Sequence, residues 1–461
     1  MDAETYRARR EVLRASVDGG AILILGNDDA PMNYVDNPYP FRQDSHFLYY
    51  VGISEAGMAA VIEPDGRETL YGRPPDPDDM VWHGPRPHAG DHAAAAGFSG
   101  SADIAALPGA IERLRSAGVA VHYLPPYRAE RSFRIAELLG LEPGAAAAGV
   151  SPELMHAVCR QRSVKTDAEI AEIEDALTVT AEMYRAAMAV ARPGRTEAEV
   201  AGTLQARALV HGRRQSFLPI VSVRGEVLHN HSYGNTLADG DLMVIDSGAE
   251  SPLGYASDIT RTFPVNGRFS PRQREIYEVV LAAQTAAIEA ASPVRSNRDI
   301  HLLAARTIAA GLAGLGLMRG DVDDAVASGA HALFFPHGIG HMLGLDVHDM
   351  EDLGDIVGYP EGESRSSQFG LNFLRMTRRL EPGFVITVEP GIYFIPALID
   401  RWRADGRHAE FIDYDRVETY RGFGGIRIED DVLITETGSR VLGPGIPRTV
   451  ADVEAATRPS S

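Results

Sequence analysis

Hydrophobic residues in the first third of the chain fall in short unbroken runs between polar stretches. AILILG, HFLYYVGI and MAAVIEP predict buried strands, because a strand covered on both faces loses polar alternation. ADIAALPGAIERLRSAG spaces its apolar positions as a helix does, and VAVHYLP after it predicts another strand. That alternation describes a small α/β domain over residues 1–163. Within it, RPPDPDDMVWHGPRPHAGDH is rich in Pro, Asp and Gly and predicts an exposed loop. Trp82, His83 and His88 lie in that loop, either as a lid or partner contact or as ordinary surface.

The texture changes near residues 143–165, where EPGAAAAGVSPE predicts a linker, and a second domain over 164–461 follows. Thr166-x-x-Glu169 forms a capping box ahead of Ile170, Ile173, Leu177, Ala181 and Tyr184 at helical spacing. Thr196-x-x-Glu199 opens a second helix, which His211-Gly212 closes. Ser270-Pro271 with Gln273 opens a third, and Ser296 with Asp299 a fourth. Strand-like segments follow or flank these helices, so the second domain is α+β.

At 461 residues the chain is too long for one ordinary core, which agrees with two domains. The formal charge of −20 argues against a nucleic-acid surface, since phosphate binding needs a basic stripe. Cys159 stands alone, so no intrachain disulfide forms, and a buried inert thiol is expected. The N-terminal MDAETYRARREVLRASV is charged and helix-like rather than a signal peptide, and no apolar run is long enough to span a bilayer. The expectation is a cytoplasmic protein without membrane partners. The tail ATRPSS is expected to be disordered.

Candidate chemistry sits on the strands of the second domain. Asp246 in MVIDSGAE, Asp258 in YASDITRTF, His341 in HGIGHMLGLDVHD, Glu389 in VITVEPGIYF and Glu429 in GGIRIEDDVLIT all lie in apolar frames. Buried carboxylates are costly unless compensated, and Arg427 is the main cation nearby in sequence. Period-two alternation puts Leu242, Val244 and Asp246 on one face. It likewise groups Val385, Thr387 and Glu389, and Arg427, Glu429 and Asp431. A short connection containing Ser-Pro-Leu-Gly predicts a hairpin that sets Asp246 across from Asp258. Four carboxylates and a neutral imidazole match the charge of two divalent cations. Oxygen-rich ligation with one imidazole favours manganese, cobalt or similar ions over an all-nitrogen zinc site; manganese is the expected metal, with cobalt or zinc as alternatives. Unrelated acids on exposed strand edges are the competing explanation.

His337 and His341 have the i, i+4 spacing of a helical zinc motif, but Gly338 replaces the general-base Glu and Gly340 weakens a helix. That motif is rejected, and the glycines are expected to let backbone approach the site. His348 and His229 (in GEVLHNHSYGN) are candidate imidazoles around the metals or plain structural histidines, and His231 reads as a loop residue.

SDITRTFPVNGRFS, HGIGHMLGLDVHD, TVEPGIYF and GFGGIRIEDDVLIT together resemble the proline-specific metallopeptidases of the pita-bread fold, prolidase and aminopeptidase P. FRQDSHFLYYVGI resembles their N-terminal domain signature, and residues from about Lys165 to Val450 resemble their catalytic domain. The resemblance implies that Asp246, Asp258, His341, Glu389 and Glu429 are metal ligands. It places His229, His337 and His348 around the substrate and Arg427 beside the last ligand. It also implies a homodimer or homotetramer whose N-terminal domain lends a loop to the neighbouring site. One departure is a connection between the two aspartates that is one residue longer than is usual, at a hairpin tip.

The insert GYPEGESRSSQFGLNFLRMTRRL and the ending PRTVADVEA resemble prolidase rather than aminopeptidase P. Arg375 falls where prolidase holds the free carboxylate of a dipeptide, a task suited to a guanidinium fork. Otherwise Arg375, Arg378 and Arg379 form a solvated basic face. The implied activity is hydrolysis of Xaa-Pro dipeptides, with Glu389 carrying the proton to the leaving nitrogen and His348 and His229 facing the oxyanion. Arg427 would orient a ligand, and Phe217 and Leu218 are candidate walls for the proline ring or else core. Rivals are an Xaa-Pro aminopeptidase acting on longer peptides and an inactive binding module. A methionine aminopeptidase is disfavoured by the large N-terminal domain, and no residue marks organophosphate hydrolysis as physiological.

Overall fold

A mixed sheet ordered β4-β3-β2-β1-β5 organises the first unit of the computed structural model, which describes residues 1–74 and 77–458. This unit comprises Met1–Arg162 together with Met350–Gly354. Its elements run α1 (Ala3–Ala15), β1 (Ala21–Leu25), α2 (Ser45–Val51), β2 (Ala59–Ile62), β3 (Glu68–Gly72), α3 (Pro77–His83) and α4 (Ala89–Ala95). They continue through β4 (Gly100–Asp103), α5 (Leu107–Ser116), β5 (Val121–His122), α6 (Ala129–Leu139) and α7 (Pro152–Ser163). Leu23 of β1 shares one core with Ile111 and Leu114 of α5 and Ile135 and Leu138 of α6. Cys159 is buried on α7.

Several local readings change here. HFLYYVGI is helix α2, not a strand. Asp44 caps it by accepting from the Phe47 N–H at 2.8 Å, and Gly52 ends it in the left-handed conformation at φ 74°. A short apolar run buried all round has no periodicity of its own, so its caps decide. The Pro-rich stretch is not one loop but holds α3 and α4, the latter started by Asp91 accepting from His88 N–H at 2.9 Å. Pro75 and Asp76 of that stretch lie outside the described residues. Ala102 and Asp103 end β4, so α5 begins only at Leu107. EPGAAAAGVSPE is no linker, because Ala146 is fully buried in the first unit's core.

The second unit takes in Ser163–Asp349 and the chain from Asp355 onward. It runs α8 (Asp167–Val190), α9 (Glu197–Val210), β6 (Ile220–Ser222), β7 (Leu242–Ser247), β8 (Ile259–Pro264), α10 (Pro271–Ala290) and α11 (Asn297–Gly314). After α12 (Val322–Ser328) come β9 (Val385–Val388), β10 (Gly391–Tyr393), α13 (Pro396–Ala404), α14 (Tyr414–Glu418), β11 (Gly425–Arg427), β12 (Asp430–Ile434), β13 (Ser439–Val441) and α15 (Val450–Ala456). The capping boxes at Thr166, Thr196, Ser270 and Ser296 all form, and they start α8, α9, α10 and α11. Ile173, Leu177, Ala181 and Tyr184 are buried along α8, as the spacing required. Helix α8 lies against α9 and α10 against α11, and each pair is followed by antiparallel strands.

Sheets β6-β7-β8 and β13-β12-β9 meet through an antiparallel bridge between Thr260 and Glu429. Of the tail, Thr457 is buried, while residues 459–461 lie outside the described residues. No helix among the described residues is long and apolar enough to cross a membrane.

Asp44 offers a test of the first unit. Burial opposes its ionisation, but the Arg131 guanidinium at 2.5 Å, His46 and the Phe47 N–H outweigh burial and hold the carboxyl at about 2. A depressed carboxyl stabilises the fold above its unfolded value of 3.8, and this contribution fades as pH falls toward 2. Asp44→Asn should cost at least about 2 kcal/mol in urea unfolding at pH 7, with the gap to wild type narrower at pH 3. An equal gap at both pH values would contradict this account of Asp44.

Candidate metal centre

Strand register decides which acids meet. Strands β7 and β8 pair antiparallel with Asp246 opposite Thr260. Asp258, two residues before Thr260, is therefore the diagonal neighbour of Asp246 rather than its direct partner, on the same face. Glu429 enters from the junction of β11 and β12, where its N–H donates to Thr260 O at 3.1 Å. Thr260 Oγ1 also donates to Glu429 Oε2 at 2.6 Å.

His341 arrives on an irregular segment laid along β9. His341 O accepts from Thr387 N–H at 2.9 Å, and Glu389 N–H donates to Ile339 O at 2.8 Å. Gly340 makes this approach possible, since a Cβ there would stand 2.0 Å from Thr387 O. The rejected helical motif is indeed not helical: 337–341 has no regular secondary structure.

Ligand atoms of Asp258, His341 and Glu429 lie within 4.8 Å of one another, and all three residues are buried. Glu389 borders this trio, with its Oε1 3.8 Å from His341 Nε2. Asp246 is partly engaged elsewhere, its Oδ2 accepting from Arg427 Nη2 at 2.5 Å. Arg427 also donates to Thr260 Oγ1 at 3.1 Å and to Tyr393 OH at 3.0 Å. The guanidinium thus orients Asp246 rather than Glu429.

Protonation states show how far this cluster is from electrostatic balance. Burial first, then Glu429 and Asp246, pushes Asp258 well above the usual carboxylate range. Burial, followed by Glu389 and Asp246, does the same to Glu429. Glu389 is raised to about 7, where burial and Asp246 prevail over the opposing Arg427 and Arg375. Two guanidiniums against four acids leave a deficit of positive charge.

The donor atoms fit divalent ions. His341 Nδ1 donates to Met342 O at 3.0 Å, so the lone pair of Nε2 faces Asp258 Oδ2 at 3.5 Å and Glu389 Oε1. Acceptor facing acceptor is repulsive unless a proton or cation intervenes. Asp246 Oδ1, Asp258 Oδ1 and Glu429 Oε1 are likewise buried without a hydrogen-bond partner. Buried orphaned carboxylate oxygens around a correctly oriented imidazole suit a hard or borderline metal ion.

The other expected residues are distributed around this cluster. His337 accepts at Nε2 from Tyr393 OH at 2.8 Å, donates at Nδ1 to Gly338 O, and lies 3.9 Å from Glu389 Oε2. Burial and then Arg427 depress it to about 3. The His348 ring lies 4.1 Å from that of His341, and burial with Arg375 depresses it to about 4. His229 is exposed at the rim, with its pKa lowered by desolvation and then by Arg427. Arg375 is half-buried, and its charge acts on Glu389, His337, His341 and His348. Arg378 and Arg379 are engaged elsewhere, with Glu381 and Pro293 O respectively. Leu218 is 59% exposed and Phe217 half-buried, so neither belongs to the core. His231 is an exposed loop residue.

Two polar residues at the centre, Tyr393 and Thr260, are not among the expected site residues, and Asp431 is expected only as a face-mate of Glu429. Tyr393 bridges Arg427 and His337, and Thr260 bridges Arg427 and Glu429. Asp431 is fully buried and accepts from the Asp258 N–H at 3.0 Å. Same-face spacing held the signal: Tyr393 is four residues beyond Glu389, and Thr260 two beyond Asp258.

A buried cluster of acids around one imidazole, assembled on paired antiparallel sheets, defines a metal-dependent hydrolase site. Residues 171–436 match the model of metallopeptidase family M24, and residues 6–133 that of the aminopeptidase P N-terminal domain. The chain belongs to metallopeptidase family M24, in its two-domain pita-bread form. Human Xaa-Pro dipeptidase is 34% identical over 95% of this chain and 89% of its own length. Xaa-Pro aminopeptidase of Escherichia coli is 33% identical over 98% of this chain and 97% of its own. The structure of Pseudomonas aeruginosa aminopeptidase PepP superposes with a TM-score of 0.82 at 33% identity, covering 99% of this chain and 98% of that one. Divalent metal use follows from the family and from the donor set described above.

Metal binding to these acids should displace protons. Titrating metal-free protein with Mn²⁺ near pH 7 in two buffers of different ionisation enthalpy should reveal net proton release, because Glu389 is held at about 7 without it and Asp258 and Glu429 are raised well above the usual carboxylate range. Binding with no proton release would show that these carboxyls are already ionised.

Proposed function

We propose that this proline-specific metallopeptidase is an Xaa-Pro dipeptidase acting through two divalent ions, manganese in preference to cobalt or zinc. The observation that carries the reading is the pairing of the acid–imidazole cluster with Arg375 at its border. Asp246, Asp258, His341, Glu389 and Glu429 would hold the ions. When bound, they supply Lewis acidity toward the scissile carbonyl and a nucleophile at neutral pH.

The chain's own side chains do the rest. Glu389, beside His337 and His341 at the centre of the cluster, is placed to take a proton from water and return it to the leaving prolyl nitrogen, a tertiary amide nitrogen with no hydrogen of its own. His348, neutral at pH 7, and His229 at the rim donate N–H groups toward the developing oxyanion. His337 stands beside Glu389, its tautomer fixed by Gly338 O and Tyr393. Arg427 fixes Asp246, and Arg375 grips the free carboxylate of a dipeptide bidentately. Phe217 and Leu218 leave apolar surface on the approach to β6, as walls for a proline ring.

The second reading is an Xaa-Pro aminopeptidase for longer peptides, with which the likeness to the aminopeptidase PepP structure over 99% of this chain is equally consistent. A homodimer or homotetramer belongs to the same proposal. Tyr34, Val35, Tyr39, Val81 and Trp82 leave large apolar side chains exposed in the first unit, Val35 by 84% and Trp82 by 80%, as an assembly surface does. A single buried cysteine suits a cytoplasmic protein.

Hydrolysis of a Xaa-Pro dipeptide beside a matched Xaa-Pro-Yaa tripeptide, with Mn²⁺ and with chelator, tests this reading. Chelator-sensitive cleavage of the dipeptide is expected, and Arg375→Ala should lower its kcat/KM by about 10²-fold, the loss of one charged bidentate contact. Preference for the tripeptide, or an Arg375→Ala variant with unchanged dipeptide kinetics, would overturn the dipeptidase assignment.

A further inference from the structure

Lys165 is the single lysine in a chain with 44 lysine and arginine residues together. It is also buried: its side chain and that of its partner Asp349 are each 1% exposed, with Nζ 2.8 Å from Asp349 Oδ2. A surface ion pair tolerates exchange of lysine for arginine. An enclosed one does so less readily, because the planar guanidinium fork is wider than an ammonium.

The surroundings show what this ammonium holds. The Lys165 N–H donates to Gly383 O at 2.8 Å just ahead of β9, and Thr166 beside it caps α8, so Nζ is delivered from fixed backbone. Asp349 lies at the far end of the irregular segment that follows His341. Its Oδ1 accepts from Asp346 N–H at 3.3 Å, and its own N–H donates to Met342 O at 2.9 Å. Its carboxylate stands 2.4 Å from the point where Gly344 would carry a Cβ. Residues 342–349 therefore close around one carboxylate. His348 is the residue before it, with its ring against that of His341.

We propose that Lys165 is a positioning residue: through Asp349 it fixes the 342–349 loop and so holds the imidazole of His348 in place for substrate. Its kinetic consequences rest on the peptidase reading given above. Removing the ammonium takes away a charge partner that lies 2.8 Å from a buried carboxylate, the loop relaxes, and a displacement of about 1 Å at His348 suffices for a loss of about 10²-fold.

The test is a double-mutant cycle on the metal-loaded protein with the best proline peptide. Lys165→Met should lower kcat/KM by about 10²-fold. In a His348→Ala background the same change should cost less than about threefold, because no His348 remains to be positioned. Asp349→Asn, which keeps shape and removes the charge, should repeat the pattern if Lys165→Met folds poorly. Hydrogen exchange by mass spectrometry gives a readout independent of activity. The 342–349 backbone should exchange faster in either variant, while β7 and β8 keep wild-type protection. Equal kinetic losses in both backgrounds, or unchanged exchange of 342–349, would overturn the proposal. Should wild-type protein cleave no proline peptide, the proposed function fails, and the exchange result alone decides the place of Lys165.

Discussion

Four carboxylates enclosed with one imidazole and one nearby guanidinium set the electrostatic demand around which the second unit is built. Asp246, Asp258, Glu389 and Glu429 cannot all ionise in a buried site with Arg427 as their immediate cation, and the raised carboxyls of Asp258, Glu389 and Glu429 record that. Satisfying them with protons would waste the orientation of His341, whose Nε2 lone pair points at two of the acids. Divalent ions answer both facts at once. Stability, metal affinity and chemistry are therefore linked through one set of atoms.

The fold meets this demand by bringing backbone close and keeping it rigid. Sheets β6-β7-β8 and β13-β12-β9 join at Thr260 and Glu429, so ligands from distant parts of the chain are placed by strand register rather than by loops. The exception is the segment bearing His341 and His348. It has no regular secondary structure, and it gains rigidity from hydrogen bonds along β9, from Gly340 and Gly344, and from the enclosed Lys165–Asp349 pair. Arg427, Tyr393 and Thr260 form a second ring of support behind the acids.

Much of this was legible in the chain itself, for identifiable reasons. The four capping boxes are local chemistry, and each starts a helix where Thr or Ser precedes Glu, Gln or Asp by three. The acids stood out because charged residues in Val- and Ile-rich frames need compensation. Other features depend on tertiary context. HFLYYVGI is helical because Asp44 and Gly52 cap it and every side chain is buried, information that hydrophobicity alone does not carry. The offset of Asp246 from Asp258 depends on turn geometry between them. The engagement of Arg427 with Asp246 rather than with its sequence neighbour Glu429 depends on the packing of β11 against β7 and β8.

The central claim is that the buried acids exist to hold two ions. It is tested most directly by counting metal in protein purified without chelator, reloaded with Mn²⁺ and dialysed, using plasma mass spectrometry beside the thermal unfolding midpoint. The account predicts two ions per chain and a midpoint that falls on chelation, because ligands that bind only the folded state stabilise it. No retained metal, and a midpoint indifferent to chelator, would contradict it and leave the acids without a purpose.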